Sequence, residues 1–98
     1  MAFVQIIDMR TSKYDEVQKL GEEWEAASVE GRTARRRLLL ADRDQPGRYL
    51  NVVFFDSYED AMRNSELPAT SEFSGKMAAL LDAPPTFLNL DLVEDRSL

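Results

Sequence analysis

Apolar and polar residues alternate along this chain with two different periods. Ala2 to Asp8 (AFVQIID) is apolar on both alternating sets, Ala2/Val4/Ile6 and Phe3/Gln5/Ile7, as in a strand covered on both faces. The period then lengthens. Tyr14, Val17, Leu20, Trp24 and Ala27 recur at helical spacing, with Glu16, Glu22, Glu23 and Glu25 mostly off that stripe, which predicts an amphipathic helix. Ser12 with Asp15 three residues on predicts a capping box at its start. Gly31 predicts its end, since glycine readily takes the left-handed conformation that terminates helices.

Thr33 to Ala41 (TARRRLLLA) predicts a second strand, polar early and buried on both faces at Leu38, Leu39 and Leu40. The turn formers of Asp42 to Gly47 (DRDQPG) join it to a third strand, Tyr49 to Phe55, as an antiparallel hairpin. Ser57 caps a following helix, with Glu59 and Asp60 at the positive end of its dipole. Pro68 interrupts that helix and Thr70 offers a fresh cap for a segment carrying Phe73, Met77, Leu80 and Leu81, giving one broken helix. Pro84 and Pro85 stop it, and Thr86 to Val93 (TFLNLDLV) alternates as a fourth strand before a polar tail, Glu94 to Leu98.

The order β-α-β-β-α-β is that of the ferredoxin-like α+β fold, a four-stranded antiparallel sheet with both helical crossovers on one face. Helices can cover only that face. Strands apolar on both faces therefore imply a partner against the other face, and a second copy of the chain is the economical one.

Composition narrows the chemistry. At 98 residues with 44% hydrophobic positions, the chain is expected to form one domain around one core. It lacks any apolar run of about 18 residues and a signal-peptide pattern, so a cytoplasmic location without membrane association is expected. There is no Cys and no His. This removes thiolate nucleophiles, Ser-His-Asp sets, the usual base near neutral pH and the commonest transition-metal and haem ligands. A formal net charge of −6 disfavours nucleic acid, with Arg35, Arg36 and Arg37 a local exception. On an alternating strand these arginines divide between faces, so they are solvated or interface-paired unless one enters a pocket.

The stretch Phe54-Phe55-Asp56-Ser57-Tyr58-Glu59-Asp60-Ala61-Met62, followed by Ser65, Pro68 and Phe73, resembles the strand-to-helix signature of the dimeric α/β-barrel superfamily. More narrowly, it is similar to antibiotic biosynthesis monooxygenase-like domains. The resemblance spans Phe3 to Val93 in element order. It implies dimers whose sheets face each other, and activities that range from cofactor-independent oxidation of aromatic polyketides to haem degradation. The haem-degrading members use a helix-two His, a strand-one Asn and a helix Trp. This chain has no His and carries Gln5 in strand one, so haem chemistry is not expected. The cofactor-independent members need no metal or flavin, only a dry aromatic cavity with a few polar groups that position and ionise the substrate.

Several residues suit that role. Asn51 is an amide inside an apolar strand, and Tyr49 shares its face. If that face meets the helices, the two can bind a substrate oxygen, with Asn51 stabilising enolate or phenolate charge; if it meets the partner copy, they are interface contacts. Trp24 is either a pocket wall or core. Arg37 either pairs with an acidic substrate, lowering a phenol pKa, or forms a salt bridge with Asp8 or Asp91. Gln5 and Asn89 can line the same cavity, and Tyr14 can close its mouth. The expected catalytic set is therefore Asn51, Tyr49, Trp24 and Arg37, with Gln5, Tyr14 and Asn89 binding substrate and no cofactor or metal. The other reading is a non-catalytic small-molecule-binding or structural homodimer. A cavity above about 300 Å³ between sheet and helices favours the first, and a collapsed apolar interior favours the second.

Overall fold

The pairing of the strands decides which side chains share a face. In the computed structural model, which describes residues 2–98, the elements run β1 (Phe3–Arg10), α1 (Tyr14–Ala27), β2 (Arg36–Ala41), β3 (Arg48–Phe55), α2 (Tyr58–Ser65), α3 (Pro68–Leu80) and β4 (Thr86–Asp91). The strands form one antiparallel sheet in the order β2-β3-β1-β4, the ferredoxin-like arrangement that the element order predicts. No helix among the described residues is long and apolar enough to cross a membrane.

Odd-numbered residues of β1 and β3 point toward the helices. At one end Phe3, Val53 and Phe55 pack with Ala61 of α2. At the other, Met9 packs with Val17 and Leu20 of α1 and Met77 of α3. The helix side of the sheet thus carries two apolar clusters rather than one continuous core.

Several element ends differ from expectation for local reasons. The Ser12–Asp15 capping box does not form: the N-cap is Lys13, whose N–H donates to the Thr11 hydroxyl at 2.9 Å, while Ser12 donates to Asp82. The Ser57 cap does form, its hydroxyl accepting from the Asp60 N–H at 3.1 Å. The broken helix is two helices. Leu67 is the N-cap of α3 and Pro68 occupies its first turn, where a missing N–H costs nothing, so the helix begins before Thr70. β1 runs on to Arg10, which pairs with Arg48. β2 begins at Arg36 because Thr33 is tied to α2, donating its N–H to Asn64 Oδ1 and its hydroxyl to the Asp60 carbonyl. β4 ends at Asp91, two residues before Val93.

The opposite face of the sheet is uncovered in the single chain. Val4, Ile6, Leu38, Leu40, Leu50, Val52, Phe54, Leu88 and Leu90 alternate onto it, and Leu40, Leu88 and Leu90 are 46%, 45% and 43% exposed. The double-faced apolar pattern of β1 to β3 therefore reflects helices on one side and an open apolar surface on the other.

One end of that surface is polar. Arg48 grips Asp8 through two hydrogen bonds, Nη2 to Oδ2 at 2.8 Å and Nε to Oδ1 at 3.1 Å, and reaches Asp42 with Nη1 at 2.8 Å. The cluster ties β1 to the β2–β3 loop, where Asp42 also accepts the N–H groups of Asp44 and Gln45. These hydrogen bonds hold both carboxyls below the ordinary 3.8, and the two carboxylates hold Arg48 more firmly charged. A carboxylate with a lowered folded-state pKa stabilises the fold above its unfolded value and loses that contribution as pH falls through the folded value. Stability is therefore expected to fall as pH drops through and below 3.8. In Arg48→Met this acid limb should be shallower, as read by urea unfolding at stepped pH.

Candidate functional site

Between the two apolar clusters, two central rungs of the sheet carry polar side chains on the helix face. One rung runs Asn89, Gln5, Val53, Arg37 from β4 to β2; the next runs Phe87, Ile7, Asn51, Leu39. The flanking rungs, Phe3 with Phe55 and Met9 with Tyr49, belong to the two clusters. Because alternation keeps every second residue on one face, a few polar substitutions in otherwise apolar strands interrupt the core in a band across the sheet.

A cavity of about 270 Å³ lies over that band, slightly below the range of about 300–1,000 Å³ usual for ligand sites. Its floor is Gln5, Ile7, Arg37, Asn51 and Val53; Trp24, Phe55, Phe73 and Phe87 supply aromatic walls, and Asn64, Ser65, Thr70 and Ser74 come from α2 and α3. A further space of about 60 Å³ adjoins it past Ile7, Asn51 and Phe87 toward Met9 and Pro85. Among the described residues, Arg37 is the sole ionisable side chain lining this cavity. Among the described residues no group of three or more His, Cys, Asp or Glu is arranged to hold a metal ion.

The aromatic wall is held firmly. Trp24 donates its indole N–H to the Thr70 hydroxyl at 3.1 Å, its ring lies 6.0 Å from that of Phe73, and the Arg32 guanidinium sits 5.7 Å above it. Ser28 locks the end of α1 beneath it, returning both its N–H and its hydroxyl to the Trp24 carbonyl.

Two residues of the cavity floor each carry a polar atom that is buried without a partner. Asn51 is only 4% exposed and its Oδ1 is buried without a hydrogen bond; the Nε of Arg37 is likewise unpaired. Such a group forfeits about 1–3 kcal/mol of stability unless water or a ligand supplies its partner. Arg37 does not pair with Asp8 or Asp91. Its Nη2 binds Glu25 of α1 at 2.7 Å, and Asp8 is taken by Arg48. The guanidinium lies so close to α1 that a Cβ on Gly21 would stand 3.1 Å from both Nη atoms.

Of the residues singled out from sequence, Asn51, Trp24, Arg37 and Gln5 line the cavity. Asn89 joins them at the edge, accepting from Gln5 Nε2 at 3.1 Å. Tyr49 shares the helix face with Asn51 but lies one rung further along, stacked on Tyr14 with ring centroids 4.7 Å apart and packed into the α1–α3 cluster. Tyr14 therefore covers Tyr49 rather than the cavity mouth. Phe55, Phe73, Phe87 and the α2–α3 polar residues were not singled out. Phe55 sits within the motif that carries the family resemblance, so its second role as a cavity wall was masked. Replacing the unpaired amide by an apolar side chain of similar size removes a desolvation penalty, so Asn51→Leu is expected to keep or raise the melting temperature, by about 4–8 °C per kcal/mol recovered. Differential scanning calorimetry measures this.

No family model matches the sequence, and no curated protein is significantly similar to it. Solved structures are similar in shape. SnoaB, a cofactor-independent oxygenase from Streptomyces nogalater, superposes with a TM-score of 0.82 at 13% identity, covering 96% of this chain and 95% of that one. Rv0793 from Mycobacterium tuberculosis gives 0.81 at 13% identity, over 99% and 100% of the two chains. An antibiotic biosynthesis monooxygenase gives 0.74 at 16%, over 96% and 100%. The likeness is one of backbone across the whole chain: this protein has the ferredoxin-like α+β fold of antibiotic biosynthesis monooxygenase domains.

Proposed function

We propose that the chain is a cytoplasmic, homodimeric, cofactor-independent monooxygenase-like protein acting on a small aromatic or polyketide-like molecule. The observation that carries this reading is Asn51, a residue of the floor of an aromatic-walled cavity whose amide oxygen is buried without a partner. Oxygenation of an electron-rich phenol or anthrone asks little of a protein, because the ionised substrate itself reduces oxygen. A ring CH₂ reacting with O₂ becomes a carbonyl, one oxygen atom enters the product and the other leaves as water. The substrate supplies both electron pairs, as two C–H bonds give way to one C=O, and dioxygen takes up all four electrons, so no external reductant is consumed.

The chain's side chains would serve three ends. Trp24, Phe55 and Phe73 stack on the rings and keep water out. Asn51 can turn either end of its amide to the substrate, since oxygen and nitrogen exchange by a flip. As a donor it would stabilise the developing oxyanion. With no carboxylate or imidazole in the lining, ionisation would rest on Arg37, whose charge favours a phenolate over a phenol. SnoaB, with the same fold, is named a cofactor-independent oxygenase, which agrees with this chemistry.

The open apolar sheet face is the dimer surface in this reading, because a second copy would bury Leu40, Leu88 and Leu90. Two observations favour the non-catalytic alternative, a binding or structural homodimer: the cavity, at about 270 Å³, falls short of the roughly 300 Å³ set for ligand chemistry, and no general base among the described residues lines it.

Oxygen uptake with the two-ring phenol 1-naphthol, whose keto tautomer presents a ring CH₂ and whose product is the 1,4-quinone, in metal-free and flavin-free buffer, tests the activity. Wild type is expected to accelerate uptake over buffer, Asn51→Ala to lose about 10²-fold or more as an oxyanion donor does, and Trp24→Phe to be impaired. Full turnover in both variants would refute the residue assignment, and no acceleration by wild type would favour the binding protein. Sedimentation velocity at micromolar concentration should return a dimer; a monomer would contradict the dimer.

A further inference from the structure

The ionisable group in the cavity wall also indicates what kind of molecule the cavity selects. Arg37 stands between two spaces, the cavity and an open cleft on the α1–β2 side that is lined by Glu22, Glu25, Arg32, Arg35 and Arg36. On the cleft side the guanidinium is committed to Glu25. Arg37 also lines the cavity, where it is the sole ionisable side chain among the described residues, and its Nε–H is buried without a partner.

The guanidinium is held in place from two directions. Glu25 fixes Nη2, and the bare backbone of Gly21 lets both Nη atoms lie against α1. A charge held this way loses little freedom when it binds, and an arginine N–H to an anionic oxygen is about twice as strong as a neutral hydrogen bond. On the adjacent rung Asn51 is a diagonal neighbour of Arg37 across β2 and β3, about 7–8 Å away at the backbone, so one ligand edge can reach both. The surrounding field favours the same sign. In a chain of net charge −6, the cleft gathers four arginines against two glutamates, and neither Arg32 nor Arg36 pairs with a carboxylate among the described residues.

Volume bounds the size of the ligand. An apolar cavity of about 150 Å³ holds one benzene, so about 270 Å³ holds one substituted ring or a compact two-ring system. We infer that the cavity selects a one- or two-ring aromatic bearing an anionic oxygen, read by Arg37, with Glu25 and Gly21 as positioning residues. This rests on the cavity being the ligand site of the proposed function and adds the charge and size of the ligand. A carboxylate and an ionised phenol share the required chemistry.

Binding of 2-naphthoate, its neutral isostere 2-naphthamide, 2-naphthol and 9-anthracenecarboxylate, followed by Trp24 fluorescence and calorimetry, tests the inference. Wild type should prefer 2-naphthoate over 2-naphthamide by about tenfold or more, the worth of one charge-assisted hydrogen bond, and should reject the three-ring acid. Affinity for 2-naphthol that rises as its hydroxyl ionises identifies the phenolate as a ligand; affinity independent of pH restricts the anion to a carboxylate. Arg37→Gln should abolish the charge preference while keeping affinity for the amide. Gly21→Ala, which leaves the guanidinium intact but crowds it, should reduce the preference as well. Equal affinity for acid and amide, a preference that survives in Arg37→Gln, or no binding of any probe would overturn the inference. Oxygen uptake measured on the same samples separates the two readings: charge selection without uptake upholds the anion site and removes the oxygenase.

Discussion

The structure depends on the period-two alternation of its strands and on the register that aligns them. Each strand sends every second side chain to the helices, so a polar residue at one position becomes a polar point on the core side. Register then converts points into a band: Asn89, Gln5 and Arg37 fall on one rung and Asn51 on the next. A band of this kind cannot close over with apolar helices without stranding hydrogen-bonding groups. The helices pack tightly at both ends instead, around Ala61 and around Val17, Leu20 and Met77, and a cavity remains between. Cavity and split core are two views of the same pairing pattern.

The same alternation explains why the two faces have different fates. The helix face has its polar groups in the middle and apolar groups at the ends. The open face has apolar groups through the middle, with Asp8, Arg48 and Asp42 neutralising one another at one end and the Arg36 guanidinium over Phe54 at the other. A surface with an apolar centre and ions at its margin suits association. In the proposed function, ligand chemistry and association occupy opposite sides of one sheet, and neither competes with the other for residues.

Much of this was legible before any coordinates. Gln5, Arg37, Asn51 and Asn89 are conspicuous because each is polar beside apolar residues of its strand, and strand parity alone puts Tyr49 on the face of Asn51. Parity does not say how far along the face a residue lies. Tyr49 is one rung too far and packs with Tyr14. The arginine's partner was missed because pairing between β2 and α1 depends on helix rotation, which brings Glu25 within reach and leaves Asp8 to Arg48. Polar residues of α2 and α3 carried no signal, since a serine or threonine on a helix is ordinary on a solvated face. Thr70, in particular, reads as a cap from spacing, whereas the helix starts at Pro68 and the hydroxyl serves Trp24.

In the proposed function, Asn51 and Arg37, whose buried polar atoms lack partners in the sheet's middle band, contact the ligand. Side-chain nitrogen NMR tests this most directly, following the Asn51 amide and the Arg37 Nε–H while 2-naphthoate is added. The account predicts that these two signals move together and saturate together, while the backbone amides of Tyr14 and Tyr49 stay in place. Movement confined to the Tyr14–Tyr49 region or to the open sheet face, with Asn51 and Arg37 unchanged, would contradict it.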